Sequence, residues 1–599
     1  MQTNNPNLFY QQQIAKHEAE EKKLVKNKSL FSLLRLVFIV LAIIALWKLW
    51  AVSITFAFIT FTILTGAFIA IVIKDLKNKE VLENIRLLKK ICREELRILS
   101  HDFLNLPDGQ ELCPAHHAYA QDLDIFGKNS LYQYINRTTS EQGHRRLASW
   151  LLNPSSIENI LQRQEACVAL CQKPDWGQQF RAYGITHPVT LPSEQKINDW
   201  KQDQRLLQNK SWLRIIRFLF PLITIISLLL FLFDIIPGSL FTFLIIAFFG
   251  IAASISKLFQ QQYLRLNKIV PELETLEQSI RIIETHSFES VLFNRLKDNL
   301  GISKEAPSQS IKQLKKILER LDYRYNPIIY IPLNTFLLWD LQQIFLLEKW
   351  QLKFQHQIPS WFDTLAEAEA LISLGTVTFN HPGWCFPKFN PDPSDFDSTE
   401  MGHPLIPISK RVNNTFSTHG ARQINLVTGS NMAGKSTFLR SVGINIVLAM
   451  AGAPVCCKEL TLSSMKVMSS MRVSDNLEEN TSTFYAELKK LKEIIEAVRR
   501  QENVFILLDE ILRGTNSADR HTGSMALLKQ LIRENASCIV ATHDLELSKL
   551  VTSYPGSFHN FHFDVQVKDE ELFFDYKIKE GVCQSMNASL LMKKIGIEL

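Results

Sequence analysis

Gly429-Ser430-Asn431-Met432-Ala433-Gly434-Lys435-Ser436 is the stretch that decides the fold. It follows directly on a short apolar strand, Gln423-Ile424-Asn425-Leu426-Val427-Thr428, and Thr437–Met450 runs on as an apolar helix. Strand, loop and helix in this order give the phosphate-cradling pattern G-x-x-x-x-G-K-[ST], a P-loop. The glycines let successive backbone N–H groups face one phosphate cluster, and the helix N-terminus adds partial positive charge. Gly429 through Thr437 are therefore the candidate nucleotide-binding residues. Lys435 is expected to reach the β- and γ-phosphates of ATP, and the Ser436 hydroxyl to ligate Mg²⁺.

About 75 residues downstream, Val504-Phe505-Ile506-Leu507-Leu508 ends in Asp509-Glu510. An acidic pair ending a core strand is ordinary by itself; after a P-loop it reads as a Walker B strand. Asp509 then joins the Mg²⁺ shell, while Glu510 orients or deprotonates the attacking water. A third strand, Cys538–Ala541, runs into Thr542-His543-Asp544, which places His543 to sense the γ-phosphate. Glu510, His543 and Lys435 are the expected catalytic residues.

These motifs, with others in fixed order, resemble the MutS mismatch-repair ATPases. The similar segments are Thr428–Thr437, Ser474-Asp475-Asn476, Ser482-Thr483-Phe484-Tyr485-Ala486-Glu487, Leu507–Ile511 with Arg513-Gly514-Thr515, and Ala541-Thr542-His543. His403-Pro404-Leu405 is similar to the start of the family's ATPase domain, and Asn136-Arg137-Thr138-Thr139 to the start of its helical core. The resemblance implies an ABC-type arrangement in which two ATPase domains of a homodimer face each other. Ser482, Thr483 and Glu487 would form the signature acting in trans, Asn431 would assist at the phosphates, and Gly514-Thr515-Asn516 would form a loop at the dimer interface. It also implies DNA binding and a role related to mismatch repair. The chain departs from the family at Leu512, where glycine is usual, and at Arg520, where a small residue is usual. No Phe-x-Glu mismatch-reading wedge precedes the core.

Upstream, the informative feature is apolar. From Leu36 to Ile73 the only charge is Lys48, and Phe218–Phe233 and Ile235–Ser256 are uncharged on either side of Asp234. Leu49–Ile73 alone covers a hydrocarbon core about 30 Å thick, whereas Leu36–Trp47 is only 12 residues, so the span before it must begin near Leu30 and carry Arg35 close to its end. Phe218–Phe233 and Ile235–Ser256 repeat the design as a second pair of spans. Trp47-Lys48-Leu49-Trp50 and Asp234 with Pro237-Gly238 mark the hairpin tips. Lys and Arg crowd the flanks, among them Lys26, Lys28, Lys74 and Lys77 around the first hairpin and Arg214, Arg217 and Lys257 around the second. The positive-inside rule therefore puts both termini and the soluble parts in the cytosol, with four spans in the lipid bilayer.

Between and after the hairpins the pattern is helical: Leu76–Leu99, Val270–Leu300, Ile311–Tyr325, Trp339–Gln355 and Trp361–Leu374. Asn326-Pro327 reads as a break and Asn380–Ser398 as a boundary loop. Phe561–Val567 and Leu572–Ile578 alternate around Asp569-Glu570 as a β-hairpin. The expected organisation is a basic tail (1–29), hairpin 1 (30–74), a linker with the first part of the core (75–210), hairpin 2 (211–257), the second part of the core (258–380) and the ATPase domain (381–599). The expected fold class is thus an α/β P-loop ATPase domain of ABC type preceded by a mainly α core interrupted by transmembrane hairpins.

Composition agrees with this division. The 599 residues are 46% hydrophobic with a net charge of only +6, which excludes global disorder and a chain-wide basic coat. Nine scattered cysteines without a C-x-x-C pair suit reduced thiols, and Cys113, His116 and His117 lack a second ligand pair for a metal. The first functional expectation is a membrane-anchored, dimerising ATP hydrolase with a DNA-related role. The second keeps the motor but gives it a protein partner instead of DNA. An ABC transporter is the weakest reading, because the Leu-Ser-Gly-Gly-Gln signature is absent.

Overall fold

A computed structural model describes residues 5–50, 53–202, 210–266, 268–301, 305–430, 433–472, 483–568 and 571–583. Two long helices, Pro6–Trp50 and Ile54–Leu99, form the first hairpin, and Ser211–Leu232 with Gly238–Arg265 form the second. All four include stretches long and apolar enough to cross a membrane. The loop between the second pair turns at Asp234, whose φ is +55°.

The basic tail is more than a tail. Residues from Pro6 onward are helical and lie along the lower half of the second helix. Ion pairs, a hydrogen bond and apolar packing hold it there: Glu21 pairs with Arg86 and Lys89, Glu18 pairs with Arg93 at 2.7 Å, the Asn78 amide donates to the Leu24 carbonyl at 3.1 Å, and Leu24 packs with Ile85 and Leu88. At its beginning, Tyr10 is fully buried and its hydroxyl donates to Asn380 Oδ1 at 2.8 Å.

The helical core runs from Leu131 to Asn380. Its early helices start on serine caps, with Ser130, Ser140 and Ser156 accepting from Gln133, Gly143 and Asn159. The Asn136–Thr139 motif is structural here. Arg137 is buried against Glu95, with bonds of 2.5 and 2.9 Å, and the Ser140 hydroxyl donates to Glu369 at 2.6 Å. The expected Val270–Leu300 helix is two, Val270–Thr285 and Val291–Asn299, because Phe288 turns in against Trp176 between them. Asn326-Pro327 does not end helical structure. Proline takes the first position of a further helix, Pro327–Leu337, where its missing N–H costs nothing. Helix Ile358–Asn380 outruns its expected end at Leu374, and the expected loop beyond it contains β1 (Lys388–Asn390) and the start of β2 (Phe396–Met401).

The remaining strands are β3 (Asn414–Thr418), β4 (Ile424–Thr428), β5 (Glu459–Ser463), β6 (Lys466–Ser470), β7 (Val504–Asp509), β8 (Ser537–Ala541), β9 (Phe558–Lys568) and β10 (Glu571–Glu580). They form a four-stranded sheet, β1-β5-β2-β3, and a six-stranded sheet, β10-β9-β4-β8-β7-β6. The latter is parallel except for its β10 edge. Strands β4, β7 and β8 are buried at every position, as expected of strands covered on both faces. Val427, Leu507 and Ile539 face the helix Lys435–Ala451, while Leu426, Ile506 and Val540 join the cluster containing Leu491 and Leu528. That first helix is also the joint to the helical core. Its end is held by Arg163, which donates to the Ala451 carbonyl at 3.0 Å, and a Cβ on Gly443 would stand 2.8 Å from both Leu123 and Leu507.

Candidate functional site

Strand order assembles the site. Since β8 lies between β4 and β7, the P-loop after β4, the acidic pair ending β7 and His543 after β8 emerge side by side at the carboxyl ends of parallel strands. Open α/β sheets bind ligands at this end.

The P-loop turns where glycine alone is comfortable. Gly429 has φ +140°, with Phe563 O only 2.9 Å from where a Cβ would stand; Gly434, at φ +100°, precedes the helix Lys435–Ala451. Lys435 folds back over the loop, its Nζ donating to the carbonyls of Gly429 at 2.7 Å and Ser430 at 3.0 Å. Burial pulls its pKa down to about 8, against the opposing pull of Glu510 and Asp509. Ser436 is half-buried and Thr437 exposed at the start of the helix, and Ala433 is buried beneath the loop. Asn431 and Met432 lie outside the described residues.

Asp509 and Glu510 diverge after β7. Asp509 is buried, and its Oδ1 has no hydrogen-bond partner among the described residues; Arg513 Nη2 is 4.0 Å away. Glu510 turns back toward the P-loop: Oε1 lies 2.9 Å from His543 Nε2, which is itself 3.3 Å from Lys435 Nζ. Oε2 meets Arg513 Nε at 3.1 Å. The hydrogen bond from His543, together with Arg513 and Lys435, holds the Glu510 carboxyl below its ordinary pKa in spite of burial. The backbone here is left-handed at two non-glycine residues, Glu510 with φ +47° and Leu512 with φ +60°. Such conformations cost about 1 kcal/mol or more each and concentrate at functional sites.

The expected trans and interface residues are partly in view. Ser482 and Ser474–Asn476 lie outside the described residues, and Thr483 begins the helix Thr483–Arg499. Glu487 is buried and faces its own subunit, accepting from the Leu512 N–H at 2.5 Å, and burial raises its pKa. Gly514 backs onto Phe484, where a Cβ would approach Phe484 Cβ to 2.6 Å. Thr515 is half-buried, and Asn516 caps the helix Ser517–Arg533 by accepting from Asp519 N at 2.8 Å.

Three contributors escaped the sequence reading. Arg513 was quoted for its motif, yet its pairing with Glu510 was not foreseen. Tyr576 of β10 brings its ring to 3.1 Å from a would-be Gly434 Cβ, a contact that needs the sheet order to be known. Asp122, buried in a turn ahead of the helical core, accepts from Ser469 Oγ at 2.8 Å and Arg472 N at 3.0 Å, so it holds the chain just after β6.

The donor set suits a magnesium-nucleotide. The orphaned Asp509 oxygen and the buried, unpartnered Ser430 hydroxyl both lie beside the loop, and Lys435 supplies a cation. Fold and site together define a P-loop ATPase domain.

Comparison with known proteins carries this to a family. Residues 425–594 match the family model "MutS domain V". The DNA mismatch repair protein MutS of Leptospira interrogans is 29% identical over 255 residues, covering 41% of this chain and 29% of that protein. The human MutS protein homolog 4 is 30% identical over 249 residues, 39% of this chain and 25% of its own length. MutS of Protochlamydia amoebophila is 32% identical over 226 residues, 36% and 26% of the two chains. The matches thus span less than a third of these relatives. The C-terminal region of this chain is a MutS-family ATPase domain, carried behind a mainly helical region with four long apolar helices.

Proposed function

We propose that this chain is a membrane-anchored ATPase that joins with a second copy on binding ATP and separates on hydrolysis. The carrying observation is that His543, after β8, stands between the other two groups, 2.9 Å from Glu510 Oε1 at the end of β7 and 3.3 Å from Lys435 Nζ after the P-loop. In this reading the N–H groups of residues 429–437 hold the phosphates and Lys435 moves from the loop carbonyls to the phosphate oxygens. Ser436 and Asp509 hold Mg²⁺, which draws charge from the phosphates. Glu510, kept ionised by His543 and Arg513, orients the attacking water and accepts its proton. Ser482 and Thr483 of each subunit face the nucleotide of the other across the Gly514–Asn516 loops, while Glu487 supports the strained turn at Leu512 from within.

The two apolar hairpins cross a bilayer with both termini on the cytosolic side, as their basic flanks favour. For the cargo, the relatives' mismatch-repair names support DNA. A second reading, a protein partner, is favoured by the helical core, whose helices Pro327–Leu337 and Trp339–Phe354 pack on the second hairpin.

The test is turnover and assembly of the detergent-purified protein. Glu510→Gln should lower ATP turnover by about 100-fold or more and accumulate an ATP-bound dimer in size-exclusion runs. Unchanged turnover would reject Glu510 as the base. Stimulation of the wild type by mismatched over matched duplex, weakening steeply with salt, would support DNA as the cargo. Equal rates with and without DNA would leave the protein-partner reading.

A further inference from the structure

Beside the second hairpin lies the helix Pro327–Leu337, with the sequence PIIYIPLNTFL. Its 11 residues rise only about 16 Å, far short of a bilayer core. Apolar helices of this length are ordinarily buried in a protein core or seated within a membrane leaflet. This one is not buried: Ile328 is 85% exposed, Ile329 44% and Ile331 46%.

Its polar groups, by contrast, are turned inward and satisfied. Asn334 Nδ2 donates to Ser256 Oγ at 2.9 Å, and Tyr330 Oη donates to Asp340 Oδ2 at 2.6 Å. Asp340 is almost fully buried and is neutralised by Arg324 through bonds of 2.8 and 2.6 Å. At the helix end, Thr224 Oγ1 donates to the Phe336 carbonyl at 2.6 Å. Thr224 sits seven residues beyond Arg217, the last charge before the uncharged run, or about 10 Å farther along the helix. A terminal carbonyl met by a hydroxyl from an apolar span is what a water-free layer demands. The hairpin on which Pro327–Leu337 packs is likewise apolar outward, with Ile215, Phe218 and Leu222 66%, 68% and 56% exposed.

We propose that Pro327–Leu337 lies within one leaflet of the bilayer, with Ile328, Ile329 and Ile331 against lipid acyl chains and the Asp340–Arg324 network closing its protein side. The inference rests on the membrane reading of the second hairpin. It gives the helical core a lipid contact of its own, separate from the four spans.

The test uses full-length protein in phosphatidylcholine–phosphatidylglycerol vesicles. The half-buried Cys113, Cys171 and Cys385 are first replaced by serine, with ATP turnover as the check on folding. An environment-sensitive fluorophore is then attached at Ile328→Cys, at Ile226→Cys in the hairpin, or at Lys492→Cys on the ATPase domain. Lipids carrying a quencher at carbon 5 or carbon 12 of the acyl chain read depth. The expected result is quenching at 328 at least half as strong as at 226, strongest with the carbon-5 lipid, and none at 492. Quenching at 226 without quenching at 328 overturns the leaflet helix and leaves the hairpin standing. Absence of quenching at both overturns the membrane reading and this inference with it.

Discussion

Raising the pH should weaken nucleotide binding in a way that Lys435 alone dictates. In the free site, burial lowers its pKa from 10.5 to about 8, a pull that Glu510 and Asp509 offset only in part. A lowered lysine pKa means the charged form is disfavoured in the free site. Phosphate oxygens beside it favour the charged form again and return the pKa toward its ordinary value. Binding above pH 8 therefore takes up a proton, and affinity must fall as pH rises. With a bound-state pKa near 10.5, the ratio of affinities at pH 7.5 and pH 9.5 is about 20-fold, or about 2 kcal/mol. The measurement is a titration of a fluorescent ATP analogue at constant free Mg²⁺ and constant ionic strength, from pH 7.5 upward so that ATP's own protonation stays out of range. Lys435→Ala should bind weakly with no such slope. A flat profile for the wild type between pH 7.5 and 9.5 would refute the assignment of Lys435 to the phosphates.

Two further outcomes follow from the geometry. Leu512→Gly removes left-handed strain of about 1 kcal/mol but also a buried side chain normally worth about 2–5 kcal/mol, so the thermal midpoint of the ATPase domain should fall; a higher midpoint would show that Leu512 packing contributes little. Tyr10→Phe deletes the buried bond to Asn380, worth about 1–2 kcal/mol, and should speed amide exchange in residues 6–14 by about 5–30-fold, whereas unchanged protection would mean the tail is held by its ion pairs alone.

The ATPase half was legible because its residues are local and chemically constrained. A phosphate cradle needs its glycines, lysine and serine contiguous, and fully buried parallel strands write themselves as apolar runs. Asp509, Glu510 and His543 stand out as candidates for the same reason: each follows the end of such a run. What escaped depends on long-range approach. The Glu487 carboxylate accepts from the Leu512 N–H, a contact 25 residues away in sequence that only packing reveals. Tyr576 reaches Gly434 only because β10 folds beside β9. The tail's helix was hidden because its stabilising partners, Arg86, Lys89 and Arg93, lie about 70 residues away. Proline at 327 signalled interruption and is in fact a beginning, since the same fixed φ serves both.

Asn380 closes the helical core and receives Tyr10 through its oxygen, while its nitrogen donates to Glu95 at 2.9 Å, the carboxylate that also grips Arg137. Four distant parts of the chain are therefore linked through one amide and one carboxylate, directly before the polypeptide enters the nucleotide domain. No slack separates the foot of the first hairpin from the threshold of the hydrolytic half. The chain link after Asn380 is also doubled by side-chain joints, Arg163 on the Ala451 carbonyl and Leu123 against Gly443, so the two halves are fastened at more than one point and lengthening the link would leave those joints in place.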